Sequence, residues 1–266
     1  LIQATENISA AKGRFWKGIS LPQPELELSL EFTPVNTSLS NYSERTFAIS
    51  QSFEFPTNYF LKGNKYTKEE EIALEQYLLK KYELVKQIKS AYFKVLADQS
   101  IVKYSEENLI ISDDFYKKAQ IRYNVGEGTN LEELTAKVQL SEAKNKIGIA
   151  KNNLNTSLAE LNYVLGYGNQ NKTSSLLLTD SLKYTEHNLS LETVYQTAEE
   201  TNPQIKEAEL NNGIAGVEKT LAWSSLLPNF NFAYFKQSRD GDDGFYGASF
   251  GVSVPLWFIM DQRGAI

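Results

Sequence analysis

The sequence contains no cysteine and one histidine, His187. Disulfides and thiolate chemistry are therefore excluded, and no histidine cluster can hold a metal. It also lacks any run of about 18 apolar residues, the length that a transmembrane helix needs. Neither sign of charge dominates: 27 basic and 33 acidic side chains leave a net charge of -6. That balance gives no electrostatic footprint for nucleic acid, and no aromatic and basic binding motif accompanies it. No nucleophile, base and oxyanion set and no phosphate loop is recognisable, so neither enzyme activity nor a cofactor is expected. Asp240, Asp242 and Asp243 lack the spacing and the distal glutamate of a calcium loop and read as a surface loop, as does His187. Leu1 is not an initiator methionine, so the sequence reads as a mature or trimmed fragment.

What the sequence does contain is organised around Arg122-Tyr123-Asn124-Val125-Gly126-Glu127-Gly128-Thr129-Asn130-Leu131. Before this stretch, Leu84, Ile88, Ala91, Val95, Asp98, Val102, Ser105, Leu109, Ser112, Tyr116, Ala119 and Tyr123 alternate at spacings of four and three, a heptad seam. After it, Ala136, Leu140, Ala143, Ile147, Ala150, Leu154, Ser157, Leu161 and Val164 keep the same rhythm. Gly126 and Gly128 suit the positive φ that ends a helix, and Thr129 or Asn130 can cap the next with Glu132 or Glu133 behind it. The spacing predicts a long helical hairpin with a sharp tip, its first helix running from about Thr67 to Asn124. At a rise of about 1.5 Å per residue that helix is roughly 85 Å long. Asp98 interrupts the seam and faces either a duct, a neighbouring subunit or solvent.

Aromatic residues make up 12% of the chain and concentrate in short alternating segments. Leu26, Leu28, Leu30 and Phe32 alternate with Glu25, Glu27, Ser29 and Glu31, and Phe47, Ile49, Gln51, Phe53 and Phe55 alternate with Thr46, Ala48, Ser50, Ser52 and Glu54, ahead of Pro56. This period of two predicts strands with one apolar and one polar face. The same order of helix, Leu-Pro, strand, loop, strand and proline returns at Leu227-Pro228 through Pro255, an internal repeat of about 200 residues. Strands of about 9 to 11 residues span a bilayer at the usual tilt. Four such strands cannot close by themselves, so they either join those of other copies in a membrane barrel or form a soluble sandwich.

In this order the proline-bounded strand pairs Leu21 to Pro56 and Leu227 to Pro255, the Arg122-Tyr123-Asn124-Val125-Gly126 turn, the Leu165-Gly166 helix end and the Asn202-Pro203 helix start resemble the TolC-like outer-membrane efflux factor family. The resemblance implies a mainly α protein with membrane β: long coiled-coil hairpins forming an α-barrel, joined to four strands per protomer of a trimeric twelve-stranded β-barrel. It implies a bacterial outer-membrane exit duct with a periplasmic extension. The expected partners are a homotrimer, the lipid bilayer, a periplasmic adaptor and an inner-membrane efflux pump, with small molecules or metal ions as cargo. Gly251 to Trp257 and Phe53 to Thr57 look most like the heavy-metal efflux branch. The resemblance places Arg122, Tyr123, Asn124, Val125, Gly126, Glu127 and Gly128 at an adaptor-docking and gating tip. Alternation makes Glu25, Glu27, Glu31 and Glu54 candidates for the barrel lumen. The alternative is a periplasmic adaptor or a soluble coiled-coil scaffold without a barrel, which leaves the repeated amphipathic strands unexplained.

The expected organisation is a periplasmic helix end at 1–20, a strand pair at 21–56, the hairpin at 57–165 with its tip at 122–130, and a loop and short-helix region at 166–202. A repeat helix at 203–226, a second strand pair at 227–257 and the start of a second hairpin at 258–266 complete it.

Overall fold

The computed structural model describes residues 1–33, 35, 38, 40–167, 178, 180, 182, 183, 185, 186 and 189–255. His187 and the expected second-hairpin start at 258–266 lie outside these residues, as does the side chain of Asp243. In chain order the elements are α1 (Ile2–Ile19), β1 (Glu25–Glu31), β2 (Glu44–Phe53), α2 (Pro56–Asn124), α3 (Asn130–Leu165), α4 (Leu191–Thr201), α5 (Pro203–Ser224), β3 (Asn229–Arg239) and β4 (Asp242–Ser253). The protein is mainly helical with one four-stranded antiparallel sheet. It divides into a unit of Leu1–Lys80 with Leu191–Ile266 and a unit of Lys81–Ser190, and α2 contributes to both.

In the first unit the strands lie in the order β1-β2-β3-β4. The two halves of the repeat therefore meet at the β2–β3 pairing, where Phe53 faces Phe230 and Glu44 faces Arg239. The same antiparallel match continues into the helices: Thr57 Oγ1 and Ser224 Oγ lie 2.8 Å apart, Lys65 Nζ is 2.7 Å from Glu218, and Gln76 donates to Glu207 at 2.7 Å. α1 packs on the same stretch of α2, with Tyr66 laid against Gly18 and Gly63 against Ile19 and Phe15.

Two boundaries differ from the expectation. The long helix begins at Pro56, at the expected start of the hairpin region but ahead of Thr67, where the helical pattern places it. Proline is preorganised for the first helical position, and packing against α1 and α5 holds residues 56–66 helical despite Asn58, Gly63 and Asn64, whose intrinsic propensities are poor. β1 is 7 residues long, shorter than a full membrane crossing, because Phe32 turns into the left-handed region at φ 55. β2 and β3, at 10 and 11 residues, have the expected length, and β4, at 12, is one residue longer. Asp240 and Gly241, with φ 50 and 88, form the two-residue reversal between β3 and β4. Asp-Gly is the residue pair that such a turn selects.

In the second unit, Ala91 and Val95 of α2 and Leu161 of α3 form a core flanked by Leu154, Leu158 and Leu178. Ion pairs Lys94–Glu160 (2.7 Å) and Lys151–Glu106 (3.2 Å) run antiparallel along the helices. Every seam residue from Leu84 to Ala119 and from Ala136 to Val164 is buried or half-buried, whereas Tyr123 is exposed. Small seam residues, among them Ala136, Ala143, Ala150 and Ser157, leave little bulk between the backbones. Asp180 accepts a hydrogen bond from the Tyr92 hydroxyl, tying the segment after α3 back onto α2.

Candidate functional site

The hairpin tip is built by two capping devices in succession. Gly126, at φ +83, lets the chain leave α2: its N–H donates to the Tyr123 carbonyl (3.0 Å), and the Glu127 N–H donates to the Arg122 carbonyl (2.9 Å). These bonds satisfy carbonyls that a helix end otherwise leaves orphaned. The Arg122 carbonyl also accepts from Gly128 N–H at 3.0 Å, and its guanidinium donates to the Glu127 carbonyl at 3.2 Å. Thr129 then caps α3 in a reciprocal box with Glu132, both bonds being 3.2 Å. The sequence left Thr129 and Asn130 as rival caps; Thr129 takes the role and Asn130 is the first helical residue.

The structure thus brings Arg122 through Gly128 into one ordered turn, with Arg122, Asn124, Glu127 and Val125 on its surface. Val125 is 65% exposed and Leu131 73%, and Ile121 and Leu134 are exposed beside them. Sequence reasoning placed Val125 in the tip and Leu131 in the stretch around it but missed Ile121 and Leu134. Their signal was available: each is a large apolar residue off the heptad seam.

The sheet presents two unlike faces. One carries Leu26 and Leu28 of β1, Phe47 and Ile49 of β2, Phe232 and Tyr234 of β3, and Phe250 and Val252 of β4, all exposed and brought side by side by the register. Arg45, Gln51 and Lys236 interrupt this face, but an exposed surface so rich in large apolar residues marks contact with lipid or another apolar partner. The opposite face carries Glu25, Glu27, Ser29 and Glu31 of β1, facing Ser50, Ala48, Thr46 and Glu44. Glu44 in turn faces Arg239, which faces Asp242, so one charged row crosses the sheet. Glu44 went unnoticed in the sequence because it precedes the clearest alternation; it accepts a hydrogen bond from Gln237. Phe235 also stands on this polar face, its ring laid over Gly247.

Glu54 stands apart from the other three lumen candidates. β2 ends at Phe53, and the Glu54 carboxylate accepts from Lys62 Nζ at 2.6 and 2.7 Å in the first turns of α2. Its backbone N–H donates to the Tyr59 hydroxyl. Its chemistry is that of a strand-to-helix clasp.

A cleft of about 490 Å³ among α1, α2 and α5 is lined by Arg14, Lys65, Glu69, Gln76 and Glu218. Its charges are paired with one another: Lys65 with Glu218 at 2.7 Å and with Glu69 at 4.0 Å, and Arg14 with Glu69 at 3.5 Å. The hydrogen bond to Glu218 raises the Lys65 pKa above the ordinary lysine value, against an opposing desolvation. Among the described residues no group of three or more acidic or histidine side chains has metal-binding geometry, and no helix is long and apolar enough to cross a membrane.

A four-stranded antiparallel sheet with one exposed apolar face, continuing at Pro22, Pro56 and Pro228 into helices, is the class of architecture that outer-membrane efflux channels share. The chain belongs to the outer membrane efflux protein family, which it matches over residues 4–167. Its structure is similar to the outer-membrane channel OprN (TM-score 0.75, 14% identity, covering 98% of this chain and 63% of that one). It is also similar to the outer membrane protein VceC of Vibrio cholerae (0.77, 14%, 100% and 68%) and the CmeC outer membrane channel of Campylobacter jejuni (0.70, 15%, 99% and 61%). At these identities the likeness is one of fold. The chain spans less than two thirds of the length of OprN and CmeC. No curated protein matches it. The resemblance to TolC-like channels read from the sequence agrees with both the family match and the solved structures.

Proposed function

We propose that this chain forms part of a passive exit duct in the bacterial outer membrane. In this reading three copies contribute four strands each to a closed twelve-stranded barrel, and the helical hairpins join in a periplasmic α-barrel. An inner-membrane pump supplies the energy and a periplasmic adaptor meets the turn at Arg122 to Gly128. The observation that carries the reading is the two-faced sheet: exposed Leu26, Leu28, Phe47, Ile49, Phe232 and Phe250 on one side, Glu25, Glu27 and Glu31 on the other. Such a sheet is stable in a bilayer only when its edges close and its polar face encloses water. The same faces argue against a water-soluble scaffold, which would leave the apolar side uncovered. Glu25, Glu27 and Glu31 line the water-filled path and favour cations there. Metal ions and small organic molecules both remain within the cargo class.

Detergent extraction of the full-length protein tests the barrel: recovery as a detergent-dependent trimer is expected, and recovery only as a water-soluble monomer overturns it. For the tip, Arg122→Glu is expected to lower export while trimer assembly persists. Unchanged export together with unchanged cross-linking to the adaptor refutes a docking role.

A further inference from the structure

Among the described residues, β1 and β4 are the sheet's two outer strands, each pairing on one side alone. We infer that β4 of one copy pairs antiparallel with β1 of the next in a single register, with Phe250 opposite Leu28 of the second copy. This inference rests on the barrel reading above and adds the alignment of its seam.

The internal repeat supplies the register. Leu26 lies four residues after Pro22 as Phe232 lies four after Pro228, so the two are equivalent positions of β1 and β3. Within the first repeat Leu26 faces Ile49, and within the second Phe232 faces Phe250, which makes Ile49 and Phe250 equivalent. Between the repeats Ile49 faces Tyr234, the counterpart of Leu28. Repeating that contact across the seam sets Phe250 against Leu28, Val252 against Leu26 and Ala248 against Leu30. All of these lie on the apolar face, and Glu27 and Glu31 come to stand opposite Gly251 and Gly247, where no side chain competes for space. A slip of one residue would set apolar against polar faces.

Closure geometry selects the same register independently. A line drawn across the strands passes from Glu25 to Ser50, Ala233 and Ser249. With Phe250 opposite Leu28, Ser249 meets Ser29 of the next copy, so the line has climbed from Glu25 to Ser29. That climb is about 13 Å over four strand spacings of about 4.8 Å, a strand tilt of about 35°, as closed barrels require. The competing alignment, anchored on Pro56 and Pro255, sets Phe250 opposite Leu26 and gives a tilt of only about 19°.

These 266 residues contain no cysteine, so, measured against the same protein without introduced thiols, pairs of introduced thiols read the register in the full-length protein assembled in membranes. Phe250→Cys is combined in turn with Leu26→Cys, Leu28→Cys and Leu30→Cys and oxidised with a membrane-permeant catalyst. Directly opposite positions bring Cβ atoms to about 4.5–5.5 Å and diagonal ones to about 7–8 Å. The Leu28 combination is expected to give covalent inter-copy adducts several times faster than the other two. Fastest cross-linking with Leu26 or Leu30 overturns the register while leaving the barrel intact. The intrachain pair Leu26→Cys with Ile49→Cys verifies that the strands have formed. If it closes while none of the three combinations links copies, the barrel reading itself fails.

Discussion

Gly126 and Gly148 offer a paired experiment in which one added methyl group acts with opposite signs. A Cβ at either position meets nothing of its own chain within 4 Å, so within the chain backbone conformation decides the outcome. Gly126 sits at φ +83, where alanine costs about 1 kcal/mol or somewhat more. Gly148 lies within α3, where alanine gains about 0.5–1 kcal/mol, largely by restricting the unfolded chain. The Gly126 cost falls on the bonds that Glu127 and Gly128 N–H make to the Arg122 carbonyl. Gly126→Ala should therefore raise the opening population of the tip, and the exchange rate of those two amides, about fivefold. Gly148→Ala should slow exchange of the surrounding α3 amides by a comparable factor. Hydrogen exchange of the assembled protein, resolved by residue, is the assay, since a global melt averages a local tip with the whole assembly. Wild-type exchange at Glu127 and Gly128 in Gly126→Ala, or acceleration around Gly148 in Gly148→Ala, refutes the argument. Gly128→Ala provides a contrast in mechanism: its Cβ comes within 3.2 Å of the Tyr123 nitrogen, so its cost is steric.

Further expectations concern the first unit. A Cβ at Gly18 falls 1.8 Å from Tyr66 Cε2, so Gly18→Ala should destabilise by about 1–3 kcal/mol despite alanine's helix preference; thermal unfolding that is unchanged or stabilised contradicts the packing described. On the polar sheet face a Cβ at Gly247 lies 2.4 Å from Phe235 Cζ. The penalty of Gly247→Ala should therefore largely vanish in a Phe235→Ala background, with a coupling of about 0.5–3 kcal/mol in a double-mutant cycle. The Lys65–Glu218 pair has a testable pH dependence. The lysine pKa is raised by its hydrogen bond to Glu218, so the pair's contribution is complete below the unfolded lysine value of about 10.4 and is lost as pH climbs through the folded value. Both side chains being partly exposed, Glu218→Gln should cost under about 1 kcal/mol at pH 7, and the difference from wild type should disappear in strongly alkaline buffer.

The sequence by itself determined every feature that depends on local periodicity or local backbone chemistry. The seam from Leu84 to Ala119 and from Ala136 to Val164 was legible because spacings of four and three put one stripe on a helix face, and sustaining them over several heptads marks a helix-to-helix seam. The tip was legible because Gly126 and Thr129 impose their own geometry within a few residues. The alternation of Leu26, Leu28 and Leu30 with glutamate told the two faces of β1 apart before any partner strand was known. Tertiary structure decided what local signals cannot carry. Pro56 opens α2 because α1 and α5 hold a stretch of weak helix formers in place. Glu54 leaves the strand pattern because β2 ends at Phe53 and Lys62 lies within reach in the second turn of α2. β2 lies beside β3, joining the two repeats, because strand neighbours are chosen by pairing among segments far apart in the chain, and period-two alternation says which face is apolar but not which strand sits alongside.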